Sequence, residues 1–324
     1  MHFFLLSNLL VLLGALLCLP LPAFANEKPF GLWVQEFEAE ARANGISQPV
    51  LDLAFNKFSP IEKIIELDRF QPESTKTLSQ YLETAVSDRR VSQGQEMYNE
   101  YKGLLEKIGN QFGVQPRFIV ALWGIETNYG QNTGGFNVPR ALATLAYDGR
   151  RADFFRDELL KSLQIIQAGH VPFEDMNGSW AGAMGQCQFM PSSYFKFAVD
   201  YDGNGHANIW TSQADVFASI ANYLAQSGWD KEGTWGRRVR LPAGHRFADK
   251  DVKPLVAWKA AGVKSFDGSA LPDGPMNATL QMPSGEGEGA YLTYGNYEVL
   301  LKWNRSRYFA TAVGTLSDRI YYGR

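Results

Sequence analysis

The sequence predicts an α+β chain that is mainly α, with a helical N-terminal region, a second helical block, a small β insertion and a C-terminal return to helix. Three observations predict it. Apolar residues recur at helical spacing from residue 30 to about 229 and again from 297 to 320. Residues 237–294 change to short strand-like runs between Pro, Gly and Asp clusters. A chain of 324 residues that is 45% hydrophobic and 13% aromatic can bury a large core, which excludes the disordered and fibrous classes.

Residues 1–25 read as a signal peptide. They carry no Asp, Glu, Lys or Arg, the apolar run 9–19 is too short to span a bilayer, and Ala23-Phe24-Ala25 places cleavage before Asn26. The expected location is the periplasm. Lipidation at Cys18, which would make an outer-membrane lipoprotein, is disfavoured because Leu17 stands where a small residue belongs. After cleavage Cys187 is the one cysteine left, so no intrachain disulfide is expected.

Residues 26–115 form the helical N-terminal region, with Leu32, Val34, Phe37 and Ala41 at helical spacing and Pro60 and Pro72 as punctuation. Residues 116–236 form the second block, broken by glycine-rich loops at 130–135, 178–185 and 203–205, where function should concentrate. The insertion 237–294 contains the runs Val239-Arg240-Leu241 and Thr279-Leu280-Gln281-Met282. Residues 295–324 close the chain as helix that packs back on the core, with Val299, Leu300, Trp303, Ala310, Val313 and Leu316 in phase.

The net charge of −3 carries no basic block, which argues against a nucleic-acid partner. The four histidines lack metalloprotease spacing, so zinc chemistry is not expected.

One carboxylate stands out. Pro116 suits the first position of a helix and Gly130 the position past its end. Between them Ile119, Leu122, Trp123 and Glu126 fall at i, i+3, i+4 and i+7, on one face. A carboxylate that continues an apolar stripe is desolvated, its pKa rises, and it can donate a proton near neutrality. Taken alone, a glutamate one turn from a helix end more often points to water. Its context changes the balance: some fifty residues on, small residues at 178, 179, 181, 182, 183 and 185 would let backbone approach a flat ligand, with Ser179 and Gln188 offering hydrogen bonds to sugar hydroxyls or acetamido groups.

The segment Asp200-Tyr201-Asp202-Gly203-Asn204-Gly205 matches a calcium-binding EF-hand loop at positions 1, 3, 5 and 6, but Thr211 occupies position 12 in place of the usual glutamate. An Asx-rich turn that binds nothing is the plainer alternative.

Ala121-Leu122-Trp123-Gly124-Ile125-Glu126-Thr127-Asn128-Tyr129-Gly130 and Gly178-Ser179-Trp180-Ala181-Gly182-Ala183-Met184-Gly185-Gln186-Cys187-Gln188-Phe189-Met190-Pro191, with Phe30-Gly31-Leu32-Trp33, Asp68-Arg69-Phe70-Gln71-Pro72-Glu73 and Trp303-Asn304-Arg305-Ser306, resemble the membrane-bound lytic murein transglycosylase B family over nearly the whole mature chain. That resemblance implies a lysozyme-like helical core and cleavage of the MurNAc–GlcNAc bond of peptidoglycan with a 1,6-anhydro product. It implies Glu126 as the single acid/base, and Ser179, Gln188, Arg150, Arg151, Tyr223, Trp303 and Asn304 as substrate-binding residues. Two positions depart from the family pattern: Trp303 and Phe309 stand where tyrosines are frequent. The family's modified calcium loop implies Asp215 as the closing ligand, giving a set of Asp200, Asp202, Asn204, His206 and Asp215. That ion would be structural Ca2+; no cofactor is expected for catalysis.

The expected partner is the glycan strand, with association to cell-wall assembly proteins, and the expected state is a monomer. No separate glycan-binding module is read after Ile320, so affinity must come from the cleft. Asp148, Asp153 and Glu158 are candidate second carboxylates, read as solvated surface charge, and Cys187 is read as a buried small residue. A hydrolytic muramidase and a non-catalytic peptidoglycan-binding protein remain as rival readings.

Overall fold

The computed structural model describes residues 28–69 and 76–323. The expected signal peptide, Cys18 and the Phe70–Glu73 part of one motif lie outside the described residues. No helix among the described residues is long and apolar enough to cross a membrane.

Among its described residues the N-terminal region has six helices: α1 (Phe30–Ala43), α2 (Gln48–Phe55), α3 (Glu62–Arg69), α4 (Leu78–Ala85), α5 (Asp88–Glu100) and α6 (Lys102–Phe112). Aromatic contacts seat the first of them: Trp33 stacks on Phe37 at 5.6 Å, and Phe30 meets Tyr147 edge-on at 5.0 Å. Capping sets where others start, as Thr77 and Gln80 form a reciprocal capping box at the head of α4 and the Ser87 hydroxyl caps α5.

Helix α7 (Pro116–Thr127) runs through the centre, packed by α5, α6, α11 (Gln213–Gln226) and α14 (Arg307–Tyr322). The four-residue stripe understates its burial. Phe118, Val120 and Ala121 are buried along with Ile119, Leu122 and Trp123, so this helix is covered on every side rather than on one face. Each such large apolar side chain contributes roughly 1.5–3 kcal/mol of burial. Close packing reaches the backbone at Gly124, where a Cβ would meet the Tyr129 ring at 2.6 Å.

After α7 the chain forms β1 (Phe136–Asn137), the antiparallel helix pair α8 (Val138–Asp148) and α9 (Ala152–Gln167), β2 (Asn177–Gly178) and α10 (Pro191–Phe197). Pro191 opens its helix as expected.

Strands β3 (Gly236–Arg240), β4 (Val252–Pro254), β5 (Lys264–Ser265), β6 (Asn277–Gln281) and β7 (Ala290–Thr293) make one antiparallel sheet in the order β4-β6-β7-β3-β5, with helix α12 (Leu255–Ala260) after β4. Both runs noted in the sequence lie in it, displaced by a residue or more: Leu241 and Met282 fall just past their strands. The sheet has its own core of Val239, Leu255, Trp258, Leu280 and Leu292, separate from the helical one. Helix α13 (Gly295–Trp303) and α14 return to the helical core, the break between them falling at Asn304–Ser306. The fold class is therefore mainly α with a small sheet.

Candidate active site

Glu126 sits in the last turn of α7, before three successive left-handed residues, Asn128, Tyr129 and Gly130, turn the chain sharply away. Their loop is tied to the second glycine-rich segment. Strand β1 pairs with β2 through Phe136–Gly178 and Asn137–Asn177, and at Gly134 (φ 98°) any Cβ would lie 2.0 Å from the Gly178 carbonyl oxygen. The small residues expected to admit a flat ligand thus first of all admit another stretch of backbone.

Gln186, which sequence reasoning did not single out, locks these parts together. Its Oε1 accepts from the Trp123 indole at 2.7 Å, its Nε2 donates to the Trp210 carbonyl at 2.8 Å, and its own carbonyl accepts from the Thr127 hydroxyl at 3.2 Å. A buried amide satisfied at both ends fixes the α7 terminus against the 178–189 loop.

Glu126 is half-buried. Protein surrounds the carboxylate on enough sides that burial pushes its pKa up to about 7, although the Trp303 indole holds it back by donating from Nε1 to Oε1 at 2.6 Å. Among the described residues no second carboxylate acts on it. Trp303 comes from the end of α13 and is itself half-buried, its ring 4.6 Å from Tyr223 and 5.4 Å from Phe189. Tyr223 spends its hydroxyl on the Lys302 carbonyl at 2.7 Å, which fixes α11 against α13.

Tyr81, unforeseen from the sequence, also feels this carboxylate. Burial raises its phenol first of all, the Glu126 carboxylate adds to the rise and the Arg90 guanidinium opposes it, so this ring stands within electrostatic reach of both charges. Tyr81 packs on Tyr308 at 5.7 Å, and Tyr308 shares a 2.5 Å hydrogen bond with Ser284. Phe309, to which the family pattern directed attention, is buried in the helical core, while its neighbour Tyr308 faces Tyr81. No motif in the sequence marks Tyr81, Ser284 or Tyr308.

The remaining expected residues divide. Ser179 is half-buried, its hydroxyl accepting from Ala183 N at 3.0 Å, and Gln188 (φ 50°) donates from Nε2 to the Thr133 and Gly185 carbonyls, which leaves its Oε1 for a ligand. Asn304 is exposed and accepts from Ser306 N at 3.0 Å. Arg150 and Arg151 hold the buried Asp68, with Arg151 Nη2 2.6 Å from Oδ1, and neither figures among the groups acting on Glu126.

The expectation of solvated second carboxylates is corrected for two of the three. Asp148 is buried against Arg69 at 2.8 Å, and Glu158 is buried with Oε2 accepting from Ser192 N at the start of α10, because each satisfies a charge or a helix end inside the protein. Asp153 is exposed. Cys187 is fully buried, and burial with the nearby Glu126 and Asp215 charges pushes its thiol well up, so it is no nucleophile.

In the 200–211 loop, Asp200 accepts from the main-chain N–H of Gly203, Asn204 and Gly205, and Asp215, at the start of α11, accepts from Tyr201 and Asn208. One carboxylate oxygen each of Asp200, Asp202 and Asp215 lies within 4.8 Å of the others. Three like charges so close repel, and all are hard oxygen donors, which suits Ca2+. Asn204 accepts from His206 N, and the imidazole of His206 turns to His170, ring centroids 6.0 Å apart, outside the carboxylate cluster.

Comparison with known proteins adds four findings. The profile of the transglycosylase SLT domain family matches residues 29–318. Membrane-bound lytic murein transglycosylase B of Escherichia coli strain K12 is 31% identical over 250 residues, 75% of this chain and 67% of that protein. Among solved structures, SltB3 from Pseudomonas aeruginosa in complex with NAG-anhNAM-pentapeptide is 42% identical with a TM-score of 0.86, covering 90% of this chain and 80% of its own. The Escherichia coli lytic transglycosylase SLT35 in complex with calcium is 28% identical with a TM-score of 0.77, covering 92% and 94%.

Proposed function

Since this chain belongs to the transglycosylase SLT domain family, we propose that it is an exported lytic murein transglycosylase that cleaves the MurNAc–GlcNAc bond of peptidoglycan with Glu126 as its sole acid/base. The observation that carries this reading is a half-buried carboxyl group raised to about 7 at a helix end, bonded to the indole of an aromatic cluster of Trp303, Tyr223 and Phe189, with no second carboxylate acting on it among the described residues.

Ordinary glycosidases flank the bond with two carboxylates; a single one suffices if the substrate supplies the rest. Protonated Glu126 gives its proton to the glycosidic oxygen, and the C1–O bond breaks with its electron pair going to the departing GlcNAc. The N-acetyl oxygen of the MurNAc stabilises the positive charge at C1. The Glu126 carboxylate then removes the proton of the same sugar's 6-hydroxyl as that oxygen bonds to C1, which regenerates the acid and leaves a 1,6-anhydro ring without consuming water.

In this reading Ser179, Gln188 and Asn304 offer hydrogen bonds to the glycan, and Tyr223 and Trp303 form the aromatic wall. Arg150 and Arg151 stiffen the groove's margin through Asp68. The chain divides into the N-terminal helices at 26–115, the catalytic core at 116–236, the insertion at 237–294 and the closing helices at 295–324. The loop beginning at Asp200 holds a structural Ca2+ through Asp200, Asp202, Asn204 and Asp215, with His206 contributing its main-chain carbonyl as the seventh loop position does. That SLT35 is solved in complex with calcium supports this.

The test is digestion of purified sacculi followed by mass analysis of the products. Wild-type protein releases anhydro-muropeptides, and Glu126→Gln lowers their release by roughly 10²–10⁴-fold. Release at wild-type level by Glu126→Gln overturns the assignment of the acid, and reducing-end products overturn the lyase reading in favour of a muramidase.

A further inference from the structure

Gln186 and Gln188 leave one short loop for different tasks. Gln188 keeps its Oε1 for a ligand, whereas each polar atom of Gln186 has a partner inside the protein. The Gln186 main-chain N–H donates to the Ile209 carbonyl at 2.8 Å, and Nε2 donates to the next carbonyl, that of Trp210, at 2.8 Å. In the other direction its Oε1 and its carbonyl accept from the Trp123 indole and the Thr127 hydroxyl. One residue thus pins the end of the 200–211 loop to the last turn of α7.

That turn carries the acid. Trp123 stands three residues before Glu126 and Thr127 one after it, so the two bonds bracket the carboxylate along the helix. The fit is close. A Cβ at Gly130, in the left-handed turn just past the helix, would lie 2.5 Å from Gln186 Oε1, and one at Gly185 would lie 2.6 Å from the Ile209 carbonyl oxygen. The Glu126 carboxylate itself has one hydrogen-bond partner among the described residues, the Trp303 indole. A single bond does not set both the place and the direction of a carboxyl group, so its aim depends on where the helix end is held. Without the Gln186 amide, the Trp123 N–H, buried among the rings of Tyr101, Tyr129 and Phe217, and the Trp210 carbonyl both lose their partner, and the turn shifts to relieve them.

We propose that Gln186 is a positioning residue for the cleavage, which aligns the Glu126 carboxyl group with the glycosidic oxygen by tying the end of α7 to Ile209 and Trp210. The inference rests on the reading of Glu126 as the acid. Misalignment of an acid slows the bond-breaking step and leaves binding of the glycan intact, so kcat carries the effect and KM does not.

The experiment measures kcat and KM for release of anhydro-muropeptides from purified glycan strands by the full chain, for the wild type, Gln186→Met and Gln186→Glu, at temperatures where circular dichroism shows each variant folded. Gln186→Met keeps the length of the side chain and removes both amide bonds. Its kcat falls by roughly 10–100-fold while KM stays within about twofold. Gln186→Glu separates alignment from mere stability. Its carboxyl group, when protonated, has one donor and one acceptor as the amide does; when ionised it has no donor for the Trp210 carbonyl. Burial, with the Glu126 and Asp215 charges that already act on neighbouring Cys187, favours the protonated form. The kcat of Gln186→Glu relative to wild type therefore climbs about tenfold between about pH 8 and about pH 5. A folded Gln186→Met with wild-type kcat overturns the inference, as does a loss confined to KM. If Gln186→Met does not fold, Gln186→Glu decides alone, and a ratio independent of pH overturns it. None of these outcomes touches the reading of the acid, which is judged from the products of the wild type and Glu126→Gln.

Discussion

At the scale of single residues, the proposed chemistry turns on one ionisation. A glutamate raised to about 7 by burial is protonated in a large share of molecules at neutral pH, and activity must fall as pH rises through that value. The Trp303 indole stabilises the ionised form, so Trp303→Phe, which keeps the ring and removes the donor, shifts the pKa further upward. The descending limb of the pH–rate profile then moves to higher pH, while the peak falls by about tenfold because the carboxyl group loses its fixed orientation. A profile that keeps its position shows that the indole does not tune the acid. The desolvated setting of Glu126 was legible in the sequence because its stripe and its flanking glycines are local. The donor was not, since 177 residues separate it from the acid and an aromatic at helical spacing looks the same whether it fills a core or serves a carboxylate.

At the scale of elements, the 200–215 segment shows what local spacing can and cannot tell. The Asp, Asp, Asn, Gly periodicity announces the turn, and the structure brings Asp215 to it by starting α11 there, with Ser212 as the cap. The proposed Ca2+ would tie the loop to that helix, so adding a chelator lowers the melting temperature by roughly 2–5 °C if the ion is near hundredfold its dissociation constant. Asp215→Asn removes most of that difference, and identical melting curves with and without chelator overturn the metal assignment. Helix α7 teaches the converse. Its i, i+3, i+4, i+7 pattern was legible as a stripe, yet apolar residues also filled the intervening positions, and this is the mark of a helix enclosed on all sides. Strand boundaries slipped by a residue or two because cross-strand pairing, rather than propensity, decides where a short strand stops.

At the scale of the whole molecule, two cores are joined through few contacts. Arg307, the first residue of α14, reaches the sheet lobe by donating to both oxygens of Asp249, at 2.9 and 2.7 Å, and to Gln281. Ser284 beyond β6 accepts from Leu78 N and meets Tyr308. Arg307→Ala lowers stability by about 1 kcal/mol, as befits a partly exposed ion pair, and its larger effect is on cooperativity. Amide exchange in β6 and β7 becomes faster than in α7, whereas equal protection in both lobes would show that the lobes are coupled by other means. None of this junction was visible in the sequence, which marks elements by period but is silent about which of them meet.

The bond between residues 126 and 303 has a further consequence for a protein able to cut the wall of the cell that makes it. Its acid acquires a finished setting only when α13 and α14 have folded back on a helix formed from the middle of the chain. A molecule still emerging from the ribosome has the glutamate and Tyr81 but neither the Trp303 indole nor Tyr308. The finished setting of this glutamate therefore arrives with the last tertiary contacts of the chain.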